Sequence, residues 1–548
     1  MIKRQTSAKG FAILSAASVI CKVLAFIYLP VQAMLVHDSG NGVISAGYKL
    51  YAFIYALTNA GLPVVISKFV SERAELGDYR GTRTVFRSAF VLMLSFGILS
   101  ALFTYFAAGF LAGWCGMAEA KLMFLYIAPT FLFTSVSCAL RGYFQGRHNM
   151  TPTAVSQIIE QIVNSLMTVL LEVLFFNYAQ RLHKDAITYT AAGSALATVL
   201  SAAASAVFLS LMYFALRRQR RTECRRQNYT GPTITSASVY RRILKFSIPS
   251  IISCIAASAI DIIDTKSCIP LLLSGGFTSA QAYALFGIYS TKYQRLMTLA
   301  MLFAAPLVTS MMPSLAAAKA RGDYRQFTHI VKEGYKLNFV VVMPIIAGLS
   351  FLAKPILTVI FVSQNSGSLM IVLGTWIALL MTTQTIQSGL LIALDKPLVA
   401  PATLLIGMAV KAVCNTILIP FSAVNIYGAL IGNAVAWIIS AALNQHYIRG
   451  ILRGRAGIGR YMLKPCFASL IMGGLSLGFY SAINYIAIHV YGHSIAANDL
   501  AVLLTIPFGA YVYFKIMLNI GGISANDLKK IPMGDKLSRL LLKHQPQE

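Results

Sequence analysis

The chain has 548 residues, of which 57% are hydrophobic and only 12% charged, with a mean hydropathy of +0.68. That balance excludes a soluble multidomain protein. The formal charge of +28 leaves two basic-seeking partners to tell apart, nucleic acid and a membrane surface.

Apolar runs of about 20 residues, enough for a helix to cross a bilayer, recur from end to end. An all-α polytopic membrane protein with fourteen spans is expected, at 10–36, 44–70, 85–112, 120–144, 152–178, 186–216, 243–273, 279–315, 336–362, 369–394, 398–422, 426–448, 464–490 and 497–519. The first run is too long for a signal-peptide core and lacks a small-residue cleavage site, so it is expected to remain as a helix. With the N-terminus inside, only Lys121, Arg181 and Lys184 of the 46 basic residues fall outside. Seven more lie within spans away from their cytoplasmic ends: Lys22, Lys49, Lys266, Lys292, Arg295, Lys354 and Lys411. The rest collect on the cytoplasmic side in loop after loop, which is the positive-inside rule and not a nucleic-acid footprint. Both termini and the linker after span six are therefore expected in the cytoplasm, against anionic lipid head groups.

The N-terminal lobe, 1–232, holds spans one to six and this linker. Span two runs into a charged helix end followed by GDYR at 77–80. Between spans four and five the chain reads SCALRGYFQGRHNMTPTAVSQIIEQIVN, Ser137 to Asn164. Pro152 falls at a helix start, where its missing N–H would be unpaired anyway. Gln157, Glu160, Gln161 and Asn164 follow at spacings of three and four, a polar stripe on one helix face. Lipid cannot satisfy such a stripe, so it faces protein or a water-filled cavity. The plain account is polar glue between two helices.

The linker Arg217–Thr233, RRQRRTECRRQNYTGPT, reads as a solvated topology anchor, and SVYRRILKFSIPS after it as an amphipathic surface helix. The C-terminal lobe, 233–452, repeats the first. GDYR returns at 322–325 after the lobe's second helix, and GLLIALDKPLVAPATLL between spans ten and eleven echoes GYFQG…TPTA. Two six-helix lobes in the same orientation describe a parallel-repeat transporter. Residues 453–548 add spans thirteen and fourteen and a basic tail.

No catalytic motif survives inspection. GLSLG at 474–478 lies mid-span, and the eight histidines and eight cysteines supply neither a cluster nor a CxxC pair. A transporter with no metal or other cofactor is expected, not an enzyme. The informative residues are ionisable groups inside spans. Lys49, Lys292 and Lys354 sit near enough to span ends to snorkel. Lys22 and Arg295 are deeper, and a cavity lined by Lys22, Lys266 and Arg295 would suit a phosphate or pyrophosphate. Asp261 and Asp264 in span seven would be costly as isolated anions. Lys411, with Asn415 one turn later, is a candidate partner, in a static ion pair or in a proton- or cation-coupling site.

The motif from Arg141 to Gln161, RGYFQG followed by M-x-PTA-x-SQ-x-x-EQ, resembles the loop between helices four and five of the SpoVB/MurJ-type lipid flippases. These belong to the MATE-like polysaccharide-exporter (MOP) superfamily. The motif positions are Arg141, Gly142, Gln145, Gly146, Pro152, Gln157 and Gln161. YQRLMTLAMLFAAPLV in span eight is similar to the family's RLM-containing helix, and CKVLAF in span one to its S-R-V-L-G-F. The resemblance implies that Arg295 contacts a lipid-linked substrate, with Lys22 where a cavity arginine is expected. Tyr28 and Tyr55 stand in place of two further arginines, and Lys411 lies where some relatives use sodium ligands. The expected substrate contacts are Arg295, Lys22, Lys49, Lys266, Lys292 and Glu160.

The function so implied is a flippase moving an undecaprenyl-pyrophosphate-linked sugar, most plausibly lipid II for peptidoglycan, by alternating access in a bacterial cell membrane. Coupling to the membrane potential, H+ or Na+, a monomeric state and contact with the cell-wall synthesis machinery go with it, as does a role in cell shape or sporulation. Three alternatives stand beside it: a MATE-like cation or drug exporter, a flippase for another polysaccharide, and a membrane-embedded glycosyltransferase. The deep cations argue against the exporter. The want of a long polar loop with paired acids argues against the glycosyltransferase.

Overall fold

The computed structural model describes residues 7–523, apart from 27, 59–61, 228, 232–233, 363, 453–460 and 492–493. The loop expected after span twelve and the basic tail lie outside the described residues. All regular structure among the described residues is helical, in two compact units, 1–287 with 419–425 and 288–418 with 426–548. This partition places the expected span seven with the first unit, whereas the sequence repeat divides the chain after 232 and 452.

The first unit holds α1 (Ser7–Leu24), α2 (Leu29–Thr58), α3 (Leu62–Glu75), α4 (Tyr79–Phe106), α5 (Ala108–Cys115), α6 (Ala120–Ile127) and α7 (Thr130–Gly146). It continues with α8 (Thr151–Arg181), α9 (Ala186–Ala215), α10 (Arg217–Arg226), α11 (Ser236–Ser274) and α12 (Ser279–Gly287). Inside α2 the backbone leaves the helix at His37 (φ 53°, ψ −162°), between the expected spans one and two. Leu62, Ile66 and Val70 of α3, Phe86 and Met93 of α4, and Tyr143 and Phe144 of α7 share one buried cluster.

The second unit opens with a π-helix, Ile288–Tyr293, that runs into α13 (Gln294–Met301) and α14 (Ala304–Ala320). Then come α15 (Tyr324–Phe351), α16 (Ala353–Ile360), α17 (Ser368–Gly374), α18 (Ile377–Ala393), α19 (Val399–Leu418) and α20 (Tyr427–Ile451). The last two are α21 (Leu463–Tyr491) and α22 (Ser494–Asn519). Val331, Tyr335 and Phe339 of α15 pack on Ile386 and Leu390 of α18. Further along α15, Val340 and Ala347 pack on Met472, Tyr513 and Met517, and the Tyr513 hydroxyl donates to the Val340 carbonyl at 2.8 Å.

Ten helices among the described residues are long and apolar enough to cross a membrane, and twelve if each of two bent pairs is one span. The bent pairs are α6 with α7, at 42°, and α17 with α18, at 41°. α1 and α11 are not among them. Large apolar side chains such as Val64, Phe106, Leu211 and Leu503 are exposed, the outward face that hydrocarbon covers.

The repeat is plainer in the backbone than in the letters. Gly77 and Gly322 both take the left-handed conformation, φ 72° and 69°. In each copy the following aspartate N–H bonds back five residues, Asp78 to Arg73 and Asp323 to Ala318, which closes a Schellman turn. Asp78 and Asp323 then N-cap the next helix through Gly81 N–H and Gln326 N–H. The helices that follow, α4 and α15, are each 28 residues long. The next ones, α5 and α16, are each 8, and α7 and α18 are each 17. GDYR is thus a helix stop and a helix start in four residues, used twice.

Candidate functional site

In the first unit the polar stripe of α8 is turned inward. Arg141 on α7 reaches Glu160 at 2.6 Å, and donates to Ser156 Oγ at 3.1 Å and Ser205 Oγ at 3.0 Å. Asn164 donates to Thr198 and Ser201 of α9, each at 3.4 Å. Gln161 donates to Ser165, whose hydroxyl donates to the Leu24 carbonyl at the end of α1 (2.9 Å). Gln157 and Gln145 are half-buried, and Pro152 is buried in the first turn of α8. Gly142 and Gly146 are where α3 touches α7: a Cβ on Gly142 would sit 2.9 Å from Ile66 Cβ, and one on Gly146 would sit 2.6 Å from the Ser67 carbonyl. The motif therefore builds helix contacts, and its arginine is held by its glutamate.

One functional candidate escaped the sequence reading. Glu172 is fully buried, and Gln32 of α2 donates to its Oε1 at 2.6 Å. The signal was present: Glu160, Asn164, Thr168 and Glu172 recur every four residues, so the stripe runs two turns beyond Asn164. Tyr48 continues it, hydrogen-bonded to the Ser194 carbonyl at 2.8 Å and to Thr198 at 2.7 Å.

The expected cations have different fates. Lys22 is half-buried near the end of α1. Lys49, with 11% of its side chain exposed, lies 3.3 Å from Asp261 and 5.2 Å over the Phe286 ring. Asp261 therefore has a partner inside its own unit that the sequence reading, which looked to Lys411, did not weigh. The snorkelling account of Lys49 gives way to an ion pair. Asp264 is fully buried. Lys266 is exposed and rests against Trp114, its Nζ 3.4 Å from the carbonyl and 5.1 Å over the ring.

In the second unit, Lys292 lies in the π-helix and is 1% exposed, so it does not snorkel. Its ammonium donates to the Gln364 carbonyl at 2.9 Å, Ser366 Oγ at 2.7 Å and the Ser366 carbonyl at 3.4 Å. It thereby ties down the connection between α16 and α17. π-turns collect at functional sites, and this one delivers the chain to Arg295, half-buried in the first turn of α13. Lys411 and Asn415 of α19 are both fully buried. Replacing Lys292 by methionine should remove about 1.5–3 kcal/mol of local stability, the usual worth of hydrogen bonds to a charged group. Amide hydrogen exchange over 361–367 is expected to speed up accordingly, and unchanged protection would show that the ammonium does not hold this connection.

The basic linker is not simply solvated. Its first ten residues form α10, and Glu223 accepts from Arg147, which directly follows RGYFQG, at 2.8 Å on both oxygens. Cys224 donates to the Tyr79 carbonyl at 3.6 Å, and burial holds its thiol above the ordinary range. A cleft of about 370 Å³ opens beside this contact, lined by Glu75, Tyr79, Arg147, His148 and Glu223 among others. The single acid of the linker helix is what turns a charged run into a docked one.

The fold is similar to that of MATE-like transporters. A solved inward-facing multidrug resistance MATE family transporter of the MOP superfamily overlays with a TM-score of 0.63, over 79% of this chain and 95% of that one, at 14% identity. The chain belongs to the polysaccharide biosynthesis protein family, whose model matches residues 7–319. It is similar to stage V sporulation protein B of Bacillus subtilis, 25% identical over 98% of this chain and 100% of that protein. It is also similar to the lipid II flippase MurJ of that organism, 22% identical over 79% of this chain and 80% of that protein. It is a multi-pass bacterial membrane protein with a fold like that of known transporters.

Proposed function

We propose that this protein is a flippase that carries an undecaprenyl-pyrophosphate-linked sugar, lipid II above all, from the inner to the outer leaflet by alternating access. The observation that carries the substrate is the likeness to the lipid II flippase over 79% of this chain. The half-buried Arg295 and Lys22, set in apolar helices, support it, because cationic side chains there suit the oxygens of a pyrophosphate. Lys49, Lys266, Lys292 and Glu160 are proposed to shape the surroundings of the head group while held by their own protein partners. Moving about two negative charges outward, with the inside negative, gains roughly 2.3 kcal/mol per charge per 100 mV.

The same reading has fourteen spans, both termini and α10 on the cytoplasmic side, and a monomer working beside the cell-wall synthesis machinery in cell shape or sporulation. It divides the chain into 1–232, 233–452 and 453–548, as the repeat does. Asp261, Asp264, Lys411 and Asn415 are the proposed ion-coupling group, for H+ or Na+. The second reading, a cation or drug exporter, is favoured by one observation, the fold likeness to a multidrug transporter. Expression in a bacterium depleted of its lipid II flippase separates the two. Restored growth, with lipid II reaching the outer leaflet, is the expected result. Protein present in the membrane at normal level without rescue would overturn the lipid II reading.

A further inference from the structure

The lipid-facing side of α9 ends in Leu211 and Phe214, each 64% exposed. The chain turns only at Leu216, whose carbonyl accepts the Arg220 N–H at 3.1 Å, and α10 begins at Arg217. From Phe214 the steps of three and four lead to Arg217, Arg218, Arg221 and Arg225, all exposed. The exposed apolar face at the end of α9 is thus followed, across the turn at Leu216, by exposed arginines on α10. The opposite face of α10 is fixed. Glu223 is held by Arg147, Arg220 stacks on Tyr213 with its guanidinium 3.3 Å from the ring centre, and Cys224 reaches Tyr79.

We propose that Arg217, Arg218, Arg221 and Arg225 form a binding surface for the phosphate head groups of anionic phospholipids in the adjoining leaflet. Two observations choose this occupant over an acidic protein segment. The stripe follows the exposed apolar end of α9, and its helix is docked so that four guanidinium forks, which suit phosphate oxygens, are presented along one line. A clustered basic run immediately beside a membrane-spanning helix gathers such lipids at about a factor of five per residue. Nothing in this surface depends on which substrate the transporter moves.

The test uses the full chain in nanodiscs of mixed phosphatidylcholine and phosphatidylglycerol, with the lipids retained on the protein counted by native mass spectrometry. The intact protein should retain phosphatidylglycerol in preference, and the preference should fall as salt rises. Changing the four arginines together to glutamine should cut it by about tenfold or more. The four-lysine variant should keep most of it and serves as the control for folding, since the inner face of α10 is untouched in both. Orientation is expected to persist in the glutamine variant, because Arg220, Arg241, Arg242 and Lys245 remain. Equal phosphatidylglycerol retention by the glutamine variant would overturn the proposal. So would an intact protein with no preference between the two lipids, which would leave the stripe to solvent or to an acidic protein.

Discussion

Replacing Arg141 by alanine should destabilise the protein by less than the ~3–5 kcal/mol lost when one member of a fully buried ion pair is removed, because Glu160 keeps 31% of its side chain exposed. Glu160 would be left without the guanidinium 2.6 Å away, and the hydroxyls of Ser156 and Ser205 would lose their donor. Glu160→Leu should cost a similar amount, because it strands the arginine instead. Arg141→Met with Glu160→Leu should cost much less than the sum of the two, since neither charge is then uncompensated. Thermal unfolding in detergent reads all three. Strict additivity would mean that the two residues do not act as a pair. The result also bears on transport: a glutamate spent on Arg141 in the resting protein contributes to substrate handling only in a state where that contact opens.

The second large effect is expected at Arg295. Under the proposed function, Arg295→Ala should abolish lipid II translocation while leaving the protein in the membrane at normal level. Arg295→Lys should recover only part of the activity, because a point charge does not reproduce the bidentate fork. A purely structural arginine predicts the reverse pattern, with lowered abundance that returns when a neighbouring carboxylate is neutralised. Abundance by immunoblot, beside translocation in vesicles, distinguishes the two. Rescue of both by Asp261→Asn or Asp264→Asn would remove Arg295 from substrate recognition.

What could be read from the letters was what depends on local pattern. Hydropathy marked the chain as helical and membrane-crossing, with ten to twelve candidate spans among the described residues against the fourteen expected, and GDYR, a weak identity over four residues, marked a turn that the backbone repeats at Gly77–Asp78 and Gly322–Asp323. The stripe after Pro152 was legible as polar, and so was its reading as glue between helices. What was not legible depends on which helices meet. Lys49 and Asp261 are more than two hundred residues apart and pair at 3.3 Å. Gln32 and Glu172 are separated by 140 positions and touch at 2.6 Å. Glu223 belongs to a linker that reads as solvated, yet it accepts from Arg147, 76 positions earlier, at 2.8 Å. In all three, a costly buried or half-buried charge announces that a partner exists, and spacing alone does not say where.

The π-helix at Ile288–Tyr293 has a geometric corollary. In an unbroken α-helix, Lys292 and Arg295 would project about 60° apart, and their two charges would share one outlook. A π-turn holds one residue more than an α-turn, so the phase of everything downstream is shifted by about 100°. Lys292 sits inside the turn and Arg295 just beyond it, with the ammonium held on the Gln364 and Ser366 carbonyls and the guanidinium half-buried. Losing a single residue from this turn would restore the regular helix and re-aim Arg295 without altering its side chain. A one-residue insertion or deletion in this turn is therefore a change that comparison of side chains alone would overlook.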